Sequence, residues 1–280
     1  MRRLAIFAHF DAQAEVKRYV LHYLAELRSV CDEIVFVSTS PLPENEVRKL
    51  APTCGTVHLK ENVGLDFGMW RHALERVDLG AWDELVLANS SVFGPVTRLA
   101  DTFERMASVA CDFWGVTNNH ELAPHIQSYF LVFRRAALAS TAFGRFWQGV
   151  LPYESKWQVT MSYEVGLSTY LVENGLRAAV VAPVEELPVP FWRRDVVGNP
   201  TCRFPLLLLE EGVPFVKVEL LRDNPLGVPL APIYQWMQRR GYDLGLVEFD
   251  RPFKRTWKAR WLLHDPAWAY RRARACSPKN

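Results

Sequence analysis

The chain has 280 residues, long enough for one large α/β domain or two small ones. With 49% hydrophobic and 23% charged residues it has a globular composition, which excludes a disordered chain. Its 33 Lys and Arg against 31 Asp and Glu leave +2, too small a surplus for a general nucleic-acid binder, and no run approaches the roughly 18 apolar residues of a spanning helix.

Leu4–His9 reads as a first strand. Its apolar run is stopped by Asp11, is too short for a secretory signal and lacks a small-residue cleavage site. Val16, Tyr19, Val20, Tyr23, Leu24 and Leu27 then recur at helical spacing. A β-rich run over Ile34–Ser38, a short helix over Glu44–Leu50 and a third strand over Thr56–Lys60 follow. Next come a helix over Gly68–Val77, a strand over Glu84–Ala88, an amphipathic helix over Val96–Val109 and a strand over Phe113–Thr117. Strand and helix alternating at this interval predict an α/β fold, a mostly parallel sheet flanked by helices, with ligands at the carboxyl ends of the strands.

Gln127–Arg134 is strongly strand-like, Phe143–Val150 and Ser162–Asn174 read as helices, and Arg177–Val184 as a final strand. From Pro183 onward prolines crowd the chain, at positions 188, 190, 200, 205, 214, 225, 229 and 232. They predict an irregular arm over 186–250, because proline ends helices and donates nothing to a ladder. The tail, 251–280, interleaves Arg251, Lys254, Arg255, Lys258, Arg260, Arg271, Arg272 and Arg274 with Trp257, Trp261, Trp268 and Tyr270. Such a segment suits the headgroup region of an anionic membrane; it equally suits a helix docked by its aromatics with its basic face in water. The five scattered cysteines (Cys31, Cys54, Cys111, Cys202, Cys276) never pair as C-x-x-C, a pattern of reduced thiols and a cytoplasmic location.

Four polar clusters interrupt the apolar pattern. In Lys60–Trp70, between a strand and a helix, Gly64 and Gly68 free the backbone to turn or meet a ligand, with Asn62 and Asp66 beside them. The same residues suit a tight turn capped by Asn and Asp. In Asn89-Ser90-Ser91 a buried strand delivers three short polar side chains to its carboxyl end, suited to a metal–diphosphate or sugar site and also to an Asx turn. His125-Ile126-Gln127-Ser128 opens a hydrophobic strand, with Trp114 a candidate stacking platform. Glu164 stands at the predicted start of a helix, where a carboxylate is stabilised as the anion, adequate for a base or for simple dipole compensation.

In this order the four clusters resemble a GT-A glycosyltransferase of the inverting family two. More specifically, residues 4–11, 61–70, 89–95, 111–115, 125–130 and 163–167 resemble the rhamnan synthesis F family of bacterial cell-surface polysaccharide assembly, over about Leu4–Val218, including Asn199-Pro200-Thr201 and Val213-Pro214-Phe215-Val216-Lys217. The resemblance implies a GT-A-like domain over 1–185, acting on a nucleotide-sugar donor and a glycan or lipid-linked glycan acceptor. Glu164 would be the base, and His9, Asp11, Asn62, Gly64, Asp66 and Gly68 would line the nucleotide. Asn89 and Ser91 would face the diphosphate or a metal, and Trp114, His125, Gln127 and Ser128 the donor sugar or acceptor. The resemblance implies a hexose-type donor sugar, with rhamnose a candidate, and the tail would bring the enzyme to the inner face of the plasma membrane. Two departures stand out. Ser90 occupies a position that is often Asp, which weakens the case for Mg²⁺ or Mn²⁺ because hard cations favour anionic oxygens; Asp66, Asp11 or the diphosphate would supply ligands, or the enzyme needs no metal. Glu164 stands where family two usually has Asp. A non-catalytic carbohydrate-binding or scaffolding protein with the same fold is the competing expectation.

Overall fold

The computed structural model describes residues 1–189 and 199–249. The basic tail over 251–280 and Pro190 of the arm lie outside the described residues.

All seven residues of β1 (Arg3–His9) are buried, with Ala5 and Phe7 in one hydrophobic core and Leu4, Ile6 and Ala8 in another. Strand side chains alternate between faces, so a strand apolar on both must be covered on both. β2 (Glu33–Ser38), β3 (Thr56–Leu59) and β4 (Glu84–Asn89) join it in parallel, in the order β3-β2-β1-β4. β8 (Phe130–Arg134) pairs antiparallel with β4 and with β6 (Phe113–Asn119), and β9 (Ala178–Ala182) runs parallel to β6 on its other edge. With β7 (His125–Ile126) the sheet has eight strands, and it is mostly parallel as expected.

α1 (Arg18–Val30) and α4 (Leu99–Ala107) cover one face. α1 buries Tyr19, Val20, Tyr23, Leu24 and Leu27, each such side chain contributing about 1.5–3 kcal/mol. α3 (Leu65–Leu74) and α6 (Thr141–Gln148) cover the other, while α2 (Glu44–Arg48) and α5 (Arg135–Leu138) are short connectors.

Three expectations are corrected. The predicted strand over Gln127–Arg134 is broken, because residues 127–129 turn between β7 and β8. The helix predicted from Ser162 starts earlier: α7 (Lys156–Val159), a π-helical turn (Thr160–Val165) and α8 (Gly166–Glu173) follow without a gap, which leaves Glu164 in mid-helix. The arm is not irregular. It forms α9 (Pro200–Arg203), α10 (Pro205–Glu210), α11 (Val218–Asp223) and α12 (Ala231–Arg239), with Pro200, Pro205 and Pro232 in first turns, where a missing N–H costs nothing. Leu208, Leu209, Phe215, Leu220, Ile233 and Met237 of the arm join the α1-side core.

Candidate active site

Strand order reverses at β1, with β2 and β3 on one side of it and β4 on the other. The crevice outside the carboxyl ends of two such strands is where α/β sheets bind ligands. β1 leads there into His9, Phe10 and Asp11, and β4 into Asn89, Ser90 and Ser91. The Phe10 N–H donates to Ser90 Oγ at 3.4 Å, tying the two strand ends together.

Asn89 organises this end of the sheet. Its Nδ2 donates to Asp66 Oδ2 at 2.8 Å, and its Oδ1 accepts from the Ser91 N–H at 3.1 Å and Ser91 Oγ at 2.6 Å. Asp66 lies in the first turn of α3, which starts at Leu65 rather than at Gly68 as the sequence suggested. Burial pushes the Asp66 carboxyl up to about 6; Lys217 opposes that shift and Glu164 reinforces it.

Lys217 reaches the site from the arm. β10 (Val216–Lys217) pairs antiparallel with β5 (Val92–Phe93), setting Lys217 opposite Val92. Its Nζ lies 3.4 Å from Ser91 Oγ and 4.3 Å from the centroid of the buried Tyr129 ring. Burial pushes the Lys217 pKa down, while Glu164, Cys202, Glu219 and Asp66 pull it back up.

Glu164 Oε1 accepts from Ser128 Oγ at 3.0 Å and the Ser128 N–H at 3.3 Å. Its π-helical turn widens the helix locally, a distortion common at functional sites. Because Glu164 acts electrostatically on Asp66, Lys217 and Tyr129, the acid and the crevice share one field.

Other expected site residues sit apart from this centre or serve the fold. His9 is 1% exposed, with Nδ1 2.9 Å from Ser38 Oγ; burial pushes its pKa down to about 4, so the ring is neutral near pH 7. Asp11 Oδ1 accepts from the Gln13 and Glu15 N–H groups and holds a turn. Asn62 is exposed. Gly64 and Gly68 meet each other rather than open space. A Cβ at Gly68 would lie 2.5 Å from Val63 O, and one at Gly64, where φ is +81°, would lie 2.9 Å from Gly68 Cα. His125 Nδ1 is 2.7 Å from Ala123 O in a buried position. Gln127 Nε2 donates to Asn199 Oδ1 at 2.7 Å, and Asn199 also accepts from Thr201 N–H and Oγ, pinning the arm to the turn before β8. Trp114 is a correction. It is 1% exposed, packed against Phe103 and Phe130 in the α1-side core, and presents no face for a sugar to stack on. Lys217 and Phe10, a residue 53% exposed beside the crevice, lie inside the segments that carry the family resemblance but were assigned no role by sequence reasoning. The signal for Lys217 is its place in the segment Val213-Pro214-Phe215-Val216-Lys217, where it is a lone cation closing an apolar run.

Residues 34–248 match the family described as rhamnan synthesis protein F. The chain belongs to the rhamnan synthesis protein F family. It is similar to the virulence protein VirA of Vibrio anguillarum, at 28% identity over 238 residues, 75% of this chain and 74% of that one. It is also similar to the uncharacterized protein y4gN of Sinorhizobium fredii, at 28% identity over 142 residues, 48% of this chain and 37% of that one. Among solved structures, the mannosyltransferase PcManGT from Pyrobaculum calidifontis, in complex with GDP-Man and Mn²⁺, resembles 88% of this chain over 78% of its own, at 17% identity and a TM-score of 0.43. A glycosyltransferase involved in glycosylation of the major capsid of PBCV-1 resembles 85% of this chain over 100% of its own, at 13% identity and a TM-score of 0.42.

The divalent cation expected from the GT-A resemblance does not fit the residues of this rhamnan synthesis protein F family member. Among the described residues no three His, Cys, Asp or Glu side chains gather as metal ligands. Ser90 and Ser91 offer neutral oxygens, Asn89 Oδ1 already accepts two hydrogen bonds, and Asp66 Oδ2 accepts from Asn89. The Lys217 ammonium stands beside Ser91, where a dication would be repelled. At about 4 Å and an effective dielectric near 20, each pair of like unit charges costs about 4 kcal/mol.

Proposed function

We propose that this protein is a glycosyltransferase that moves a sugar from a nucleotide-sugar to a hydroxyl of a growing cell-surface polysaccharide or lipid-linked glycan, with inversion at the anomeric carbon. The observation that carries this reading is the meeting of Asp66, Asn89, Ser91 and Lys217 at the β1–β4 reversal, with Glu164 near enough to act electrostatically on Asp66 and Lys217. In that reading the nucleotide lies against the ends of β1 and α3, near Phe10 and Asp66, and its diphosphate lies against Ser91. Glu164, oriented by two bonds from Ser128, takes the proton of the acceptor hydroxyl as that oxygen attacks the anomeric carbon. The nucleoside diphosphate leaves on the opposite face. Family membership favours rhamnose among the candidate sugars.

The test is a screen of dTDP-rhamnose and GDP- and UDP-sugars for nucleotide release, repeated with Glu164→Gln. Release that depends on Glu164, with a product of inverted anomeric configuration by NMR, is the expected result. A triplet without an acid, Asn89-Ser90-Ser91, favours a second reading: a carbohydrate-binding or scaffolding protein of polysaccharide assembly. Glycan binding that ignores nucleotide, with no release from any donor, would decide for it. Membrane contact through residues 251–280 belongs to the same proposal, and binding of the full chain to anionic vesicles tests it. No helix among the described residues is long and apolar enough to cross a membrane.

A further inference from the structure

We propose that Lys217 is a fixed cation that holds the donor's diphosphate, in the role a divalent ion would otherwise fill. The inference rests on the nucleotide-sugar reading and goes beyond it by naming the group that neutralises the leaving group.

Three observations carry it. The first is placement. The β10–β5 pairing and the Val218 N–H bond to Ser91 O at 3.0 Å fix the backbone of Lys217 to the segment that leaves β4. Its Nζ therefore stays next to Ser91 Oγ, at the end of the sheet where a phosphate would rest.

The second is the unmet charge. Lys217 is half-buried, its contacts are a hydroxyl at 3.4 Å and the face of Tyr129 at 4.3 Å, and among the described residues no carboxylate lies within ion-pair distance of it. A sheltered ammonium without a counter-ion is costly to keep unless something anionic completes it. Glu164, Glu219 and Asp66 lie near enough to influence it, but none of them approaches to ion-pair distance, which leaves room for an anion at the ammonium itself.

The third is the chemistry of the triplet. Neutral Asn89, Ser90 and Ser91 are poor ligands for a hard dication, and the Ser90 hydroxyl, whose oxygen accepts from the Phe10 N–H, has a proton to donate to a phosphate oxygen. One ammonium beside them replaces the metal's charge without a new carboxylate.

In the transfer step the acceptor oxygen forms its bond to the anomeric carbon and Glu164 takes the acceptor proton. The bond between the anomeric carbon and the diphosphate oxygen breaks, and its electron pair goes to that oxygen. Lys217 stays protonated throughout and offsets the charge on the departing diphosphate.

Calorimetric titration of the full chain with inorganic pyrophosphate, UDP, GDP, dTDP and CDP, each in EDTA and in Mn²⁺, tests the proposal. Wild type, Lys217→Met and Lys217→Arg are compared, with circular dichroism melts to confirm folding. Wild type is expected to bind at least one diphosphate with an affinity that EDTA changes less than about threefold. Lys217→Met, which keeps an unbranched apolar stem over Tyr129, should weaken that binding about 30-fold or more, and Lys217→Arg should restore most of it. Binding that vanishes in EDTA and returns with Mn²⁺ overturns the proposal and leaves the nucleotide reading standing, and this arm needs only wild type. Equal binding by folded Lys217→Met also overturns it. Failure of every diphosphate to bind under either condition overturns both.

Discussion

The two walls of the candidate site are built from different kinds of sequence. One is the strand-end wall: the ends of β1 and β4 and the first turn of α3 meet there, with Asn89 bridging Asp66 to Ser91. The other comes from later in the chain: Ser128 and Glu164 bond to each other, and Lys217 reaches Ser91 from the arm. The strand-end wall has the exposed Phe10 ring and the Asp66 carboxyl, whose pKa burial raises; the later wall has the Glu164 carboxyl and the Lys217 ammonium. Parallel strands end together at one edge of the sheet, so their polar ends meet there, and the Lys217 cation arrives with the arm that folds back over that edge.

Substitutions on the two walls should separate binding from chemistry. Glu164→Gln keeps the side chain's shape and removes its basicity, so kcat for sugar transfer should fall about 10²–10⁴-fold while donor KM changes little. A KM change without a kcat change would move Glu164 from the chemistry to binding.

Trp114→Ala tests whether that ring belongs to either wall. A buried tryptophan truncated to alanine costs about 3–5 kcal/mol, which denaturant titration would register. Donor and acceptor KM of the folded fraction should stay at wild-type values; a selective loss of acceptor binding would return Trp114 to the site.

The strand ends also carry two opposed pH signatures, one in the fold beside the site at His9 and one in the site at Asp66. His9 titrates near 6.5 in the unfolded chain but only at about 4 when folded, because burial excludes the charged ring. Its contribution to stability is therefore full above pH 6.5 and drains away as pH falls to about 4, by about 2–3 kcal/mol. Denaturation of His9→Asn over the same range should lack that part of the slope. Asp66 has the opposite sign. With its folded pKa raised from 3.8 to about 6, its stability contribution is full below pH 3.8 and is lost as pH rises through 6. Asp66→Asn should therefore be more stable than wild type at pH 8 by about 1–2 kcal/mol, discounted for partial exposure, with the gap closing toward pH 4. It should also bind nucleotide less well, the trade common where a site stores an unfavourable charge.

Much of the fold was legible because its signals are local. The alternation of strands with helices, the β1 pattern of apolar residues on both faces and the α1 stripe from Tyr19 to Leu27 each follow from the period of one element. The reading failed where tertiary contact overrode local preference. Prolines that read as breakers at 200, 205 and 232 became helix starts once their apolar neighbours had a core to enter. Gln127–Tyr129 reads as strand by composition but turns, with Ser128 bonded to Glu164 and Gln127 to Asn199.

The amino-acid sequence alone determined the sheet, its coverage by helices and the polar ends of β1 and β4, because periodicity and turn chemistry act within a few residues. Only the tertiary structure decided that Trp114 is core, that Gly64 packs on Gly68 and Gly68 on Val63, and that Lys217 stands at Ser91. Those outcomes depend on which face meets which neighbour, and a single element's sequence does not encode its partner.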